Sequence, residues 1–575
     1  MKLKNNAHLI VKEMVQIFVI GIFIFSLFVT SPVGAVGGTD LVVTNVVITP
    51  ANPIPGEAIS VSVTVLNQGD VTSDSIVYRH VFVDTGDPNN LPPDPGTGCP
   101  STDDPYENYF RSDFNDGIPA GGSDTKAISI PNGLTAGLHQ LWVYVDATCI
   151  NIESNETNNA YGPIALSLGI PVNVTVGNTV NTSHYLPYVG SSLRKSYTGI
   201  DDGPVKVDGN GENIIAAERV IYNPGGTPVS FTELMGLPST LVDDEYWFPW
   251  YNNINVDTQL RFGNVSGAPA SVQVFIGGVE MPGSPFALTA SGAGQSLRVS
   301  FAGVNNGPVH IVSTQPIVAA ERIIYNPTGS LPTSFSEMMG LPASQVNTTF
   351  VFPWYNNLFL DTQLRFANVS GSTATVNVYI GGTLMPGSPF TLPASGAGQS
   401  KLISFAGIDS GPVRIVSNQP IVASERTIYN PGTGNTSFTE MMGLPESLVN
   451  TTYYFPWYNN LFLDTQLRFG NVSGVPASVR VYIGGVEMAG SPFALTASGT
   501  GQSLRISFAG IDNGPVKIVS DQPIVAAERE IYLIGGVPVS FTEMMGLPNS
   551  LLNSSYWFPW YNNLYLDTQL RFGAP

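Results

Sequence analysis

Apolar and polar positions alternate strictly through most of this chain. In residues 464–469, Thr465, Leu467 and Phe469 share one face while Asp464, Gln466 and Arg468 share the other, the period of two expected of a half-buried strand. Val479, Val481 and Ile483 predict a second such strand, ending at Gly484 and Gly485, where a tight hairpin needs positive φ. Leu504, Ile506 and Phe508 predict a third. Gly514-Pro515 then turns the chain into residues 516–519, and 524–532 carries apolar residues at both parities, as an inner strand does. One segment breaks the pattern. Ser540-Phe-Thr-Glu543 ahead of Met544-Met-Gly-Leu-Pro548 fits a capping box and predicts about one helical turn, stopped by Gly546 and Pro548, as a plug between units.

The whole pattern repeats. Phe-Pro-Trp-Tyr-Asn-Asn begins at Phe248, Phe352, Phe455 and Phe558, in steps of 104, 103 and 103 residues, and a Glu-Arg pair begins at Glu218, Glu321, Glu425 and Glu528. Such a period is a whole small domain rather than a solenoid coil. Full copies span 246–349, 350–452 and 453–555. Residues 185–245 form an incomplete first copy lacking its middle, with Tyr185-Leu-Pro-Tyr-Val189 as a degenerate Phe-Pro-Trp-Tyr segment. Residues 169–184 read as a Thr, Asn and Val linker, and 556–575 as the truncated start of a further copy. The expected fold is all-β: serial immunoglobulin-like antiparallel sandwiches, beads on a string, with a clipped last copy. Reaching back to the first copy would require the array to curl up.

Ahead of the repeats, Ile59, Val61, Val63 and Val65 predict a half-buried strand, and residues 138–145 alternate again. The opening Asp40-Leu-Val-Val, then Pro55-Gly-Glu57, Asn67-Gln-Gly69 and the closing Glu153-Ser-Asn-Glu-Thr-Asn-Asn159 resemble the CARDB domain. That family is an immunoglobulin-like sandwich named for cell adhesion and found in secreted bacterial proteins. The resemblance covers 40–168, with a Pro, Asp and Gly-rich insertion at 84–120 that departs from it. It implies an adhesive role, and it makes the copies that follow similar to the immunoglobulin-like tandem repeats of bacterial surface proteins.

Composition sharpens this picture in three ways. Lys2, Lys4 and Lys12 precede an apolar run at 15–29 and small residues at Val33-Gly-Ala35, so 1–35 reads as a signal peptide. The expected location is extracellular or on the cell surface, without membrane insertion once the leader is removed. The leader takes away three Lys and one Glu, leaving 20 basic against 42 acidic groups, net −22, which disfavours nucleic acid and anionic lipid. Cys99 and Cys149 would meet an oxidising compartment, where pairing is the default; two separate thiols are the other reading.

Candidate chemistry is sparse. Trp250-Tyr251, Trp354-Tyr355, Trp457-Tyr458 and Trp560-Tyr561, each ahead of two Asn, have the makings of a glycan platform; the competing reading makes the rings packing residues and the Asn pair a turn. Glu528 and Arg529 are strand neighbours facing opposite ways, so Glu528 is expected to pair with an Arg of an Asp-Thr-Gln-Leu-Arg strand and fix its register. The position of His310 holds Lys206, Arg414 and Lys517 in other copies and reads as solvent-facing. No converging carboxylates or activated nucleophile stand out, so the chain is read as non-enzymatic and without a cofactor. Calcium is the one metal to consider. Asp146, Glu153, Asn155, Glu156 and Asn158 supply hard oxygens on one loop, and an Asx-rich turn is the alternative. The expected partners are cell-surface glycans or other surface proteins, with no nucleic acid. An accessory role in a longer extracellular enzyme is the third reading.

Overall fold

The computed structural model describes residues 37–84 apart from 52, 54 and 75, then 109–112, 117–146 apart from 136, 150–222, 229–325, 334–429, 437–534 and 537–575. The leader, both cysteines and most of the 84–120 insertion lie outside these residues. The chain divides into two compact bodies, one holding Ser60–Ser129 and Gln140–Ile164, the other Ala165–Pro575.

In the first body, a three-stranded sheet of Leu41–Thr49, Ile59–Asn67 and Ser123–Ile130 accompanies a four-stranded sheet of Tyr109–Ser112, Arg79–Val83, Gly137–Val145 and Ala160–Leu168. Ile59, Val61, Val63 and Val65 are buried as their alternation predicts, and Leu141, Val143 and Val145 face inward from the other sheet.

The second body repeats one design. In the unit at 243–345 the spine is Val309–Tyr325, whose first half pairs with Ala270–Ile276 and Asp243–Phe248, and whose second half pairs with Asp257–Asn264 and Ser334–Met339. One 17-residue strand therefore joins two sets of partners within a nine-stranded sheet. Its burial marks the crossing: alternation up to Ser313, exposed Thr314 and Pro316, then buried positions from Ile317 to Ile323. The strands expected separately at 516–519 and 524–532 are likewise one strand, Val516–Ile534. Each unit keeps its own core; Val479, Val481, Ile483, Leu467 and Phe469 share the one at 450–551.

Three expectations need correction. First, the helical plug is a strand, Val537–Met545, followed after Pro548 by a 3-10 turn, Asn549–Leu551. Its Ser and Glu do not cap a helix because both are engaged by strands around them, as set out below. Second, the linker 169–184 belongs to a hairpin of Ile170–Val176 and Val180–Leu186. Ile170, Val172, Val174 and Val176 alternate and bury one face. Third, residues 556–575 do not begin a new unit. Ser555–Phe558 pairs with Val205–Asp208, and Asp567–Gly573 lies between Ser192–Lys195 and Ile215–Tyr222. The first copy thus lacks its opening strands, not its middle, and the last strands of the chain supply them. We call the result the composite unit.

The composite unit reproduces the pairing of the others, with its spine in two pieces, Val205–Asp208 and Ile215–Tyr222. Tyr561 donates its hydroxyl to the Thr568 carbonyl and accepts the Tyr197 amide at 2.7 Å, as Tyr251 accepts that of Phe301. The four units are serial antiparallel modules, as the repeat predicts, but the string closes on itself. A segment that cannot bury its apolar face alone takes the complementary edge wherever the chain offers it.

Candidate functional site

Ring closure is built on the four strands that follow each hairpin: Ser230–Met235, Ser334–Met339, Ser437–Met442 and Val537–Met545. They lie side by side and parallel. The Phe335 and Glu337 amides donate to the Ser230 and Thr232 hydroxyls, and the same pair of bonds links each unit to the next. The Phe231 and Glu233 amides close the circuit by donating to Ser540 and Thr542. Side-chain hydroxyls do the work of ladder carbonyls, which explains Ser/Thr-x-Ser/Thr at this position in every copy.

Around these strands lies a buried charge network. Glu543 accepts from Arg529 at 2.6 Å and Arg468 at 3.3 Å; Glu233 does so from Arg219 at 2.6 Å and Arg571 at 3.1 Å. Glu337 with Arg322 and Arg261, and Glu440 with Arg426 and Arg365, complete the set. The partner of each Asp-Thr-Gln-Leu-Arg arginine in its own unit is therefore the glutamate of the central strand. Glu528 instead meets the Glu233, Arg571 and Arg219 charges across the junction. Alternation keeps Glu528 and Arg529 on opposite faces of one unit, and the ring brings such opposite faces together between units. Burial first, and the next unit's glutamate second, hold Glu218, Glu321, Glu425 and Glu528 well above the usual carboxylate range. Burial and a neighbouring arginine push Arg219, Arg261, Arg365 and Arg468 down to about 9. One junction carries an extra carboxylate: Glu530, bonded to Arg219 and 3.6 Å from Arg571, stands where the other copies have Val220, Ile323 and Thr427. A cavity of about 80 Å³ on the axis is lined by Glu233, Glu337, Glu440 and Glu543 with their neighbouring Leu and Met residues.

The Trp-Tyr-Asn-Asn segments divide between packing and display. Tyr251, Tyr355, Tyr458 and Tyr561 are fully buried with their hydroxyls bonded, so they form no exposed platform. Trp250, Trp354, Trp457 and Trp560 are half-buried, with each indole N–H donating to Asn305, Asp409, Asp512 or Asp201. The first Asn caps the next loop: Asn459 Oδ1 accepts the Leu461 and Phe462 amides. The second Asn donates to the Tyr hydroxyl and the Thr carbonyl below it. What the segment holds up is a rigid loop whose tip is apolar. Ile254 is 62% exposed, Phe359 73%, Phe462 68% and Tyr565 75%, with Leu358, Leu461 and Leu564 beside them more than half exposed. Sequence reading passed over these tips, although Leu-Phe-Leu in a loop of polar residues was a visible signal.

His310 is half-buried, stacked on Trp247 at 3.8 Å and bonded to Glu245 at 2.7 Å. The matching position keeps a cation over an aromatic ring in Lys206 on Trp557 and Lys517 on Tyr454, so in three copies it is a packing station; Arg414, paired with Glu446, faces solvent as expected.

In the first body, the loop read as a calcium site stitches the sandwich ends together. Glu153 Oε2 accepts the Leu41 amide at 2.5 Å and Oε1 accepts from Asn159; Glu156 accepts the Glu153 amide. Asp146 accepts from Asn151 and Ile150, Asn155 from Thr157, and Asn158 donates to Asp40. Burial is the main cause that raises Asp146 to about 7 and Glu153 to about 8. Among the described residues no three His, Cys, Asp or Glu side chains are placed to hold a metal. No described helix is long and apolar enough to cross a membrane.

Comparison with known proteins bears on the first body. No curated protein matches the chain. A crystal structure of the CARDB domain of a Pyrococcus furiosus protein, in complex with di-metal ions, is 15% identical and covers 23% of this chain and 91% of its own, with a TM-score of 0.16. The solution structure of that domain is 16% identical, covering 23% of this chain and 96% of its own, with a TM-score of 0.17. A Streptomyces avermitilis α-L-rhamnosidase is 9% identical over 86% of this chain and 59% of its own, with a TM-score of 0.14. Likenesses this distant carry no argument about function. Residues 38–163 match the CARDB family, so the immunoglobulin-like domain read from the opening and closing motifs is a CARDB domain.

Proposed function

We propose that the chain is a non-catalytic adhesion and scaffold protein of the cell surface or extracellular space, in which a CARDB domain accompanies a closed ring of four β units. The supporting observation is where the recurring charged residues lie. Each repeated Glu and Arg of the ring interior is buried and held by oppositely charged neighbours or by the next unit. Such groups join strands and units; general acid or base work needs a group within reach of substrate. The partners on this reading are surface glycans or other surface proteins, and no cofactor is needed.

A second reading is favoured by the indoles. Trp250, Trp354, Trp457 and Trp560 keep part of a face open beside an acidic or amide group, a pairing that suits a sugar ring and its hydroxyls. Retention of the full chain on insoluble polysaccharides and cell-wall preparations tests both readings, with Trp354→Ala and Trp457→Ala in one variant. Retention lost in a variant that still melts cooperatively favours the glycan array. Retention unchanged in the variant favours adhesion through another surface, and no retention on any preparation refutes adhesion to these materials.

A further inference from the structure

The apolar tips are placed alike in all four units. Each is followed by an aspartate whose strand pairs near the outer end of the unit's spine: Asp257 with Ile324, Asp361 with Ile428, Asp464 with Ile531, and Asp567 with Ile221. The central strands run parallel in matched register, so these ends all lie at one end of the ring. Half-buried Tyr222, Tyr325, Tyr429 and Tyr532 stand beside those isoleucines. Between the tips and the axis, a small cleft is lined by Leu463 with Ile221, Phe231 and Tyr532, and by Ser230 and the buried, Glu233-paired Arg219 at its base, so mostly apolar surface runs inward from a tip to the junction. The exposed tip side chains together present roughly 850 Å² of apolar area, divided among four separate tips of roughly 100 to 250 Å² each.

We propose that this end of the ring docks on a lipid surface, one with zwitterionic choline head groups rather than anionic ones. The tips protrude at four separate points, and a fluid interface yields to protrusions where a rigid protein face must match them. They are Leu, Phe, Ile and Tyr, side chains that partition into the head-group and acyl boundary. No Lys or Arg lies in residues 252–257, 356–361, 459–464 or 562–567, and each tip stands over an aspartate, in a chain of net charge −20. That arrangement repels anionic lipid, while choline ammonium groups complement both the carboxylates and the aromatic faces. The same charge opposes a second copy placed face to face. A polysaccharide would need polar groups at the tips; Asn255 and the Tyr565 hydroxyl supply one each, and Leu358-Phe359 and Leu461-Phe462 offer none.

The proposal deepens the adhesion reading and rests on the ring being a binding platform. Its test is flotation of the full chain with vesicles of pure phosphatidylcholine and of phosphatidylcholine mixed with phosphatidylglycerol. Phe359→Ser, Phe462→Ser and Tyr565→Ser are combined in one variant; these residues are exposed, and an unchanged melting temperature verifies the fold. Wild type is expected to float with phosphatidylcholine, less with the anionic mixture, and the variant to lose at least tenfold in partitioning. Absence of flotation overturns the proposal, as does equal flotation of wild type and variant or a preference for the anionic vesicles. Sedimentation velocity of both proteins identifies a second copy as the occupant if a concentration-dependent dimer is lost in the variant. Polysaccharide retention of the same two proteins keeps the outcomes separate: loss of lipid binding alone leaves adhesion to polymers standing.

Discussion

Phe572→Ala tests ring closure directly. Phe572 belongs to the last strand, opposite Leu193 on one side and Ala216 on the other, with no exposed surface and the His184 ring 5.9 Å away. Phe366 holds the matching position in a continuous unit and is equally buried. Truncating a buried Phe to Ala costs about 3–5 kcal/mol, from lost transfer energy and the cavity left behind. The two substitutions are therefore expected to destabilise their units by similar amounts, even though Phe572 stands only three residues from Pro575. Hydrogen exchange read by mass spectrometry gives the location. Phe572→Ala should loosen amides in 205–222, which lie more than 300 residues earlier in sequence, and leave 374–380 protected. Phe366→Ala should do the reverse. If Phe572→Ala leaves exchange at 205–222 unchanged, the composite unit does not exist and the last strands are an unpartnered tail.

The charge network gives a second contrast. Arg571→Met strands the Glu233, Glu528 and Glu530 carboxylates beside one remaining arginine, and is expected to cost about 3–5 kcal/mol in urea unfolding. Glu530→Thr restores the composition of the junction that carries Thr427 and should stay within about 1 kcal/mol of wild type. Removing a buried hydroxyl in Tyr458→Phe takes one of two side-chain donors from the Thr465 carbonyl, which keeps Asn460, and leaves the Phe508 amide without its acceptor; it should cost about 1–3 kcal/mol in the same assay. In the CARDB domain, Asp146 and Glu153 hold protons in the folded state up to about pH 7 and 8, above the range in which they titrate when unfolded. Folding thus takes up protons between roughly pH 4 and 8, so this domain's stability should fall as pH rises through that window and level off above it. Exchange of amides in 59–67 at pH 5, 7 and 9 checks the sign. Millimolar calcium should leave the same amides unchanged, because the loop's carboxylates already accept backbone and side-chain donors; added protection would establish the metal site.

Much of the fold was legible. Alternation located the strands around Val479 and Leu504, the glycine pair at 484–485 takes positive φ at both residues, and the repeat marked equivalent positions throughout. Closure was not legible, because pairing in a sheet is chosen by unmatched edges and nothing in the local pattern of 567–573 says which edge it meets. The hairpin at 170–186 was visible as alternation in Ile170, Val172, Val174 and Val176, but its threonines and asparagines resembled a linker. Ser540-Phe-Thr-Glu543 misled for a physical reason. Buried Ser, Thr and Glu look like surface or cap residues in sequence, and only the neighbouring unit reveals the amides and arginines that satisfy them. The apolar tips were hidden because buried Tyr458 and half-buried Trp457 are the conspicuous aromatics, whereas Phe462, the ring left in solvent, sits in an inconspicuous loop.

Closure also sets an order of assembly. Tyr197 and Tyr561, which meet in the composite unit, are 364 residues apart, so the strands from Ile170 to Tyr222 leave the ribosome long before the partners that cover them. Three continuous units can fold during that interval, each from its own segment, while the opening hairpins wait with bare edges. A chain interrupted anywhere before Ser555 would display those edges permanently. Residues 555–573 thus seal edges that were made more than 300 residues before them.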